Sequence, residues 1–204
     1  AVKTAMCDET EILAVECNCI CTHPLDEIIK VHLSYDTFCT ALTYDTENKP
    51  AGIYIVKREL FESLNPEKPT DMTEDIIPEA VKSGEAVLLD GKGYYKRITT
   101  PEAFLDCQRH MLYNENMSQR LTENNFSGAA IGEPVYIGEN VSVMSGSVIE
   151  SGSVIDNNAV VKGGKVNGYV GIGSVVSERC DINSAVVCRG AVLAELVRRS
   201  AAAA

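Results

Sequence analysis

Aliphatic residues recur at every sixth position along much of the second half of the chain. The repeat passes through Ile131, Ile137, Val143, Ile149, Ile155 and Val161, and it resumes three residues out of step at Val170, Val176 and Ile182. A period of six fits neither an α-helix nor a simple strand. It is typical of hexapeptide coils, in which three short strands and their turns close one triangular turn of a solenoid. The pattern predicts a parallel β-helix of about three to four coils, with the slip near Tyr169 forming a looped corner.

A second inward position accompanies the first. Small or aliphatic residues lie four places after most of the repeating aliphatic residues: Val135, Val141, Ser147, Ser153 and Ala159. A narrow prism accepts aliphatic side chains on its axis, whereas a position near a corner requires a smaller side chain. Glycine and asparagine at the turns, such as Gly146 and Asn158, accept backbone angles that other residues resist. We therefore expect both sets of side chains to face the interior of the solenoid.

Strand-like and helix-like segments alternate before about residue 113, which predicts an α/β unit. The strand-like segments are residues 11–15, 37–44, 52–56, 86–89 and 94–98, and the helix-like segments begin near Thr22, Arg58, Asp71 and Thr100. Asp71 and Glu74 have the spacing of a capping box, and Thr100 precedes a proline suited to the first turn of a helix. Because a polar stretch begins at residue 114, we divide the chain into residues 1–113, a linker over 114–130, and the β-helix over 131–200.

The first and last predicted helices each carry a histidine beside an apolar stripe. His32 lies next to the stripe of the first helix, which favours a partly buried structural role over a catalytic one. Phe104, Cys107 and Met111 are expected on the buried face of the last helix, with His110 beside them.

Charge and cysteine content narrow the class of protein. The 204 residues carry a formal net charge of −11, which argues against a nucleic-acid surface or an anionic membrane surface. No apolar run approaches a membrane span and no signal-peptide pattern opens the sequence, so we expect a cytoplasmic protein. The eight cysteines form no C-x-x-C pair, as expected of reduced thiols. Cys17, Cys19 and Cys21 alternate along one strand face, which gives a ladder rather than the closed cage that zinc requires.

Several segments resemble motifs of the sugar-1-phosphate nucleotidyltransferases, the nucleoside-diphosphate-sugar pyrophosphorylases with a β-helix behind the catalytic domain. Residues 51–54 match the family's Asn-Ala-Gly-Ile-Tyr strand beside the sugar, and residues 47–50 resemble its Glu-Lys-Pro segment with one residue inserted. Residues 71–78 match the Asp-Phe-x-x-Asp-x-x-Pro helix start, and residues 93–101 match Gly-Tyr-Trp-x-Asp-x-Gly-Thr-Pro. The most similar type is mannose-1-phosphate guanylyltransferase.

The resemblance implies a partial Rossmann-like nucleotidyltransferase domain followed by a left-handed β-helix. It implies synthesis of nucleotide sugars: a sugar 1-phosphate attacks the α-phosphate of a nucleoside triphosphate and pyrophosphate leaves, with Mg²⁺ offsetting the charge. By the same likeness, Glu47 and Lys49 lie at the sugar phosphate, and the Gly52 backbone lets the sugar approach closely. Asn18 takes the position of the first metal-binding aspartate.

Departures from the family argue against turnover. Nothing in residues 1–21 resembles the Gly-Gly-x-Gly-Thr-Arg loop whose amides hold the triphosphate. Asn18 brings no charge to a metal, and Arg97 stands where the second metal-binding aspartate is expected. We assign no catalytic residue and predict no nucleotidyltransferase activity for this chain. Two explanations stay open: a remnant without catalysis, or a sequence that omits stretches of a complete enzyme.

Three functional hypotheses follow. The first is an incomplete or degenerate nucleotidyltransferase that binds a nucleotide and a sugar phosphate. The second is a non-catalytic regulatory or assembly subunit, similar to the regulatory subunits of guanylyltransferases or to the γ and ε subunits of the translation initiation exchange factor. The third, a hexapeptide acyltransferase, is weaker, because those enzymes need a catalytic histidine between coils and no histidine follows His110. An open coil stack also predicts a homo-oligomer formed through the β-helix.

Overall fold

The computed structural model describes residues 10–35, 37–44, 49–63, 70–120, 126, 128–194 and 199–200. Contacts divide the chain into two compact units, Ala1–Arg97 and Ile98–Ala204. Within the described residues, no helix is both long enough and apolar enough to cross a membrane.

The first unit contains a mixed sheet with few helices. Its elements are strands β1 (Glu11–Val15), β2 (Cys19–Cys21), β3 (Cys39–Thr43), β4 (Pro50–Lys57), β5 (Ala86–Asp90) and β6 (Tyr95–Arg97), helices α1 (Leu25–Tyr35), α2 (Arg58–Ser63) and α3 (Ile77–Ser83), and a π-helical turn at Met72–Ile76. The sheet has the order β1-β4-β3-β5, antiparallel except for the parallel β3–β5 pair. Strands β2 and β6 form a separate antiparallel pair.

Strand β4 is buried on both faces of this sheet. Ile53 and Ile55 pack with Ile28 of α1 on one side, and Tyr54 packs with Ile77 of α3 on the other. A strand covered on both faces needs a nearly continuous apolar run, and β4 has one. The alternation of strands and helices seen in the sequence is thus observed, while Rossmann-like character stays a prediction.

The start of the π-helical turn that leads into α3 differs in one respect from the predicted capping box. Asp71 Oδ1 accepts hydrogen bonds from the amides of Thr73 (2.8 Å) and Glu74 (2.9 Å), as a cap should. The reciprocal carboxylate belongs to Asp75 rather than Glu74: the Asp71 amide donates to Asp75 Oδ2 at 2.8 Å. The π-helical turn widens the first turn, and the side chain that returns to the cap therefore comes from one residue further along.

The second unit is a helix and a parallel β-solenoid of about four turns. Its elements are helix α4 (Pro101–Asn114) and strands β7 (Gln119–Arg120), β8 (Ala130–Ile131), β9 (Tyr136–Ile137), β10 (Ser142–Val143), β11 (Val148–Ile149), β12 (Val154–Ile155), β13 (Val160–Val161), β14 (Lys165–Val170), β15 (Val175–Val176), β16 (Asp181–Val187), β17 (Val192–Leu193) and β18 (Arg199–Ser200). All strand pairs in it are parallel among the described residues. The predicted hexapeptide solenoid is confirmed as a parallel β-solenoid.

The predicted inward residues fill the interior of the solenoid. The buried positions include Val135, Ile137, Val141, Val143, Ile149, Ile155, Ala159, Val161, Val170, Val176 and Ile182. Ile131, in the first described coil, is partly buried against the same cluster. The serines at the second inward position are buried too, and their hydroxyls donate to carbonyl oxygens: Ser147 to Val161 at 3.3 Å and Ser153 to Val166 at 3.0 Å. A buried hydroxyl is tolerated there because it has an acceptor.

The three-residue slip produces a tightened corner, so the predicted looped corner is wrong. Strand β14 runs without interruption from one solenoid face to the next, and its pairing with β16 shifts register between Asn167 and Gly168. A Cβ atom at Gly168 would lie 2.3 Å from the Ala185 carbonyl oxygen. The chain therefore shortens this corner by letting two backbones approach closely at a glycine.

Helix α4 packs on the solenoid. The Thr100 hydroxyl caps it by accepting from the Ala103 amide at 3.1 Å, and Gln108 Nε2 donates to the carbonyl oxygens of Gly152 (2.7 Å) and Gly168 (3.2 Å). The sequence-based division placed this helix in residues 1–113, whereas its contacts assign it to the second unit. Its buried side chains are Leu105, Cys107, Gln108 and Leu112, so of the three predicted residues only Cys107 is fully buried.

Replacing Ile149 with aspartate should unfold the solenoid. The side chain is 1% exposed, and an unpaired carboxylate would be forced into the interior. We expect a loss on the order of 3–5 kcal/mol in the free energy of unfolding, measured by urea denaturation. Val148→Asp is the matched control, because Val148 is the preceding residue and is 40% exposed; its cost should stay below about 1 kcal/mol. Equal losses for both variants would contradict the inward orientation of Ile149.

Candidate functional site

Hydrogen-bond donors from three elements of the first unit converge on one carboxylate. We call this group the Glu16 cluster: Glu16, Gly52, Tyr54, Thr73 and Arg97. Arg97 Nη2 lies 2.9 Å from Glu16 Oε2. The hydroxyls of Thr73 (3.2 Å) and Tyr54 (3.4 Å) both lie within hydrogen-bond distance of Glu16 Oε1 and of each other, so one hydroxyl can donate to the carboxylate while the other donates to its neighbouring hydroxyl. A guanidinium and two hydroxyls are donors suited to an anion.

Strand register brings Glu16 over Gly52. Strands β1 and β4 pair Val15 with Ile53, and just beyond this pair the Glu16 amide donates to the Gly52 carbonyl at 2.8 Å. Gly52 has a φ of +76°, and a Cβ atom there would lie 2.6 Å from Glu16 Cδ. Glycine is therefore required twice, by the backbone angle and by the side chain that crosses it.

Arg97 reaches the cluster through the second strand pair. Strand β6 pairs with β2 so that Arg97 lies opposite Cys19. Burial opposes the charge on the guanidinium, but the hydrogen bond to Tyr95 and the nearby charges of Tyr95 and Glu16 raise the pKa of Arg97 above its ordinary value. Arg97 is thus a permanent cation. Its Nε and Nη2 atoms are both buried without a hydrogen-bond partner among the described residues, so the contact between Nη2 and Glu16 is an ion pair.

The neighbouring phenol of Tyr54 is protonated at neutral pH, as an ordinary tyrosine is. Burial raises its pKa further, to about 12, so the hydroxyl also stays protonated in moderately alkaline solution.

A cavity of about 310 Å³ adjoins the cluster at Arg97. It is lined by Tyr44, Lys49, Pro50, Ala51, Tyr95 and Arg97. The rings of Tyr44 and Tyr95 are stacked, with centroids 4.8 Å apart and planes 13° apart. Two cations and a pair of aromatic rings suit a small ligand with an anionic group and a ring face. The volume lies at the lower end of the range for small-molecule sites.

The cavity contains one of the three predicted substrate-binding residues. Lys49 is exposed and lines it. Gly52 lies next to it but is covered by the Glu16 side chain, and Glu47 falls outside the described residues. The structure therefore places Lys49 and Arg97 in the lining of the same cavity. In the sequence, Arg97 was recognised only as a departure from the family motif.

The residues at the implied Mg²⁺ position do not fit this ion. Asn18 lies in the turn between β1 and β2 and offers at most a neutral amide oxygen. Arg97, at the position of the second aspartate, carries a positive charge and is already paired with Glu16. In the part of the chain that the structure describes, no group of three or more His, Cys, Asp or Glu side chains is placed to hold a metal ion. Asn18 as a metal ligand therefore remains a prediction. The second carboxylate that the family uses beside it is replaced here by Arg97.

Sequence reasoning missed Glu16 because it reads as the polar end of a strand. The feature that identifies Glu16 is its position beside Gly52 of β4. This position depends on the register between β1 and β4, which the sequence alone does not reveal. His32, by contrast, has the predicted structural role: it is 2% exposed, and its ring nitrogens are hydrogen-bonded to Thr40 (2.9 Å) and Glu11 (2.8 Å). Thr40 is fully buried, so both His32 and its Thr40 partner are shielded from solvent.

Comparison with protein-family models and with curated protein sequences gave no match to this chain. Architecture alone therefore defines the class: a parallel β-solenoid unit preceded by a mixed α/β unit that contains the Glu16 cluster.

Replacing Gly52 with alanine should cost more than the same change at Gly84. Both glycines have a φ near +77°, but a Cβ atom at Gly84 meets nothing within 4 Å. Gly84→Ala therefore costs about 1 kcal/mol of backbone strain. Gly52→Ala should cost roughly 2–3 kcal/mol, because the new methyl group also displaces the Glu16 carboxylate from its donors.

Urea denaturation of the two single variants, and of Gly52→Ala in a Glu16→Ala background, measures the difference. In that background the two glycine replacements should cost the same. A Gly52→Ala cost no larger than that of Gly84→Ala would contradict the contact between Glu16 and Gly52.

Proposed function

We propose that this protein is a non-catalytic relative of the sugar-1-phosphate nucleotidyltransferases, which binds a sugar-sized phosphate ester in its first unit and assembles through a left-handed β-solenoid. The observation that carries the proposal is the Arg97 guanidinium, which lines the cavity and is paired with Glu16 at 2.9 Å. The resemblance in the sequence supplies the ligand class.

The charge of Arg97 favours binding over turnover. Phosphoryl transfer brings several negative charges together, and enzymes of this kind offset them with a metal ion, a cation and a loop of backbone amides. A cation where a metal carboxylate is expected repels the metal ion but attracts a phosphate. The site therefore retains an attraction for the ligand and lacks the means to stabilise the transition state.

The cavity lining suits a phosphorylated sugar. Lys49 and Arg97 offer charge-assisted donors for a phosphate, and the stacked rings of Tyr44 and Tyr95 offer a flat face for a sugar ring. Glu47 and Gly52 join them by resemblance. Because the residues at the metal position do not fit Mg²⁺, binding should not require it.

The solenoid is the assembly unit in this proposal. A stack of parallel strands ends in backbone groups that can pair with another strand, and such ends are usually covered. The cysteines that the structure describes are all free thiols, the state that a reducing compartment such as the cytoplasm maintains.

Ligand binding without turnover is the first test. Calorimetric titration with mannose 1-phosphate and other sugar 1-phosphates should show binding of equal strength with and without Mg²⁺. Lys49→Ala should weaken it by about tenfold, the loss expected of one charge-assisted hydrogen bond. Lys82→Ala is the control, because Lys82 is an exposed lysine of α3 that does not line the cavity.

A pyrophosphate-release assay with GTP plus mannose 1-phosphate, and with other nucleotide and sugar phosphate pairs, should give no signal above background. Metal-dependent release by this chain would overturn the non-catalytic assignment in favour of an active nucleotidyltransferase.

Self-association is the second test. Sedimentation velocity at micromolar concentration should show an oligomer, and Ile149→Asp, which disrupts the solenoid, should abolish it. A clean wild-type monomer would contradict assembly through the solenoid.

A further inference from the structure

Glu16 occupies a set of donors that a bound anion would use. Its carboxylate is ion-paired with the guanidinium of Arg97 and lies within hydrogen-bond distance of the hydroxyls of Thr73 and Tyr54. These three donors come from β6, the π-helical turn and β4, so the tertiary fold and not a local turn brings them together. Convergence of donors from separate elements on one point is the arrangement of a built anion site.

The carboxylate leaves part of this site unsatisfied. Arg97 Nη2 forms an ion pair with Glu16 Oε2 at 2.9 Å, but neither Nη2 nor Nε, both of them buried, makes a hydrogen bond among the described residues. A guanidinium presents its N–H groups as a fork that matches two oxygens of one phosphate. A phosphate group can thus engage Nε and Nη2 together, which the carboxylate in its observed position does not.

Glu16 also cancels the charge that would attract a ligand. Paired with Arg97, it leaves the guanidinium side of the cavity nearly neutral. Its side chain is 31% exposed, and that of Arg97 is 33% exposed, so the carboxylate can leave toward solvent without crossing the core. Once Glu16 has moved away, a dianionic phosphate meets both Lys49 and Arg97.

We propose that Glu16 is an internal competitor of the anionic ligand, a carboxylate that holds the phosphate-binding donors of the Glu16 cluster until a phosphate monoester displaces it. This inference rests on the proposed function, because it takes the cavity ligand to be a phosphate ester. The ligand then binds only the fraction of molecules in which Glu16 has moved away, and the apparent dissociation constant is raised by that fraction.

The test compares wild type with Glu16→Gln. The glutamine keeps the size and an acceptor oxygen for Thr73 and Tyr54 but removes the charge that competes for Arg97. Mannose 1-phosphate and inorganic phosphate should bind this variant about tenfold or more tightly than wild type. Unphosphorylated mannose should not distinguish the two proteins. Glu79→Gln is the control for net charge, because Glu79 is an exposed residue of α3 outside the cluster; it should bind like wild type.

Two further variants guard against misfolding and misassignment. Glu16→Ala vacates the same donors by a different substitution and should also bind the two phosphates more tightly, with urea denaturation reporting its fold. Adding Arg97→Ala to Glu16→Gln should remove the gain in affinity.

If wild type binds mannose 1-phosphate and both Glu16 variants bind it no better, the proposal that Glu16 competes with the ligand is overturned while the proposed function stands. If neither wild type nor any variant binds a phosphate ester, the proposed function falls as well. Binding by the Glu16 variants alone would support a competitor strong enough to close the wild-type site.

Discussion

The interior of the solenoid has room for two inward side chains per six-residue repeat, the second of them usually small, and offers no solvent to satisfy a polar atom. The order of the second unit follows from this constraint. Axial positions such as Ile137 and Ile155 are fully buried, and the buried serines are tolerated because each hydroxyl donates to a neighbouring carbonyl. A helical segment with a different pattern could not enter such a prism, so α4 lies on the outside of the coils and reaches them through Gln108.

The first unit has a different requirement, the compensation of a partly buried positive charge. A guanidinium cannot lose its proton at any physiological pH, so Arg97 is stabilised by an anion beside it. Glu16 supplies this anion, and Gly52 leaves the space in which the carboxylate lies. Under the proposed function, structural stability and ligand affinity are opposed at this site: each contact that holds Glu16 makes the cluster better ordered and the phosphate harder to admit.

The features that were predictable from the sequence are those set by a local period. The sixfold repeat determines which side chains face inward, whichever coil they belong to, and the parallel solenoid follows from it. The corner at Gly168 was not predictable, because a shortened hexad is compatible with either a loop or a close approach of two backbones. Helix α4 showed an apolar face in the sequence, but such a face does not say which unit it packs on. The meeting of Glu16 with Arg97 depends on the registers of β1–β4 and β2–β6, which are non-local and leave no spacing to read. The resemblance supplied Lys49 and marked Arg97 only as a departure.

The amide of Gln108 has a mechanical consequence. It is bound at once to Gly152 and Gly168, which belong to successive turns of the solenoid. In a simple coil stack, each turn is held only by its neighbours and can peel away from an end, one turn at a time. Here a rigid helix ties two turns together from outside, so neither can separate until the helix detaches. Helix α4 therefore links two successive turns. The solenoid should resist unwinding at these linked turns more than at its ends.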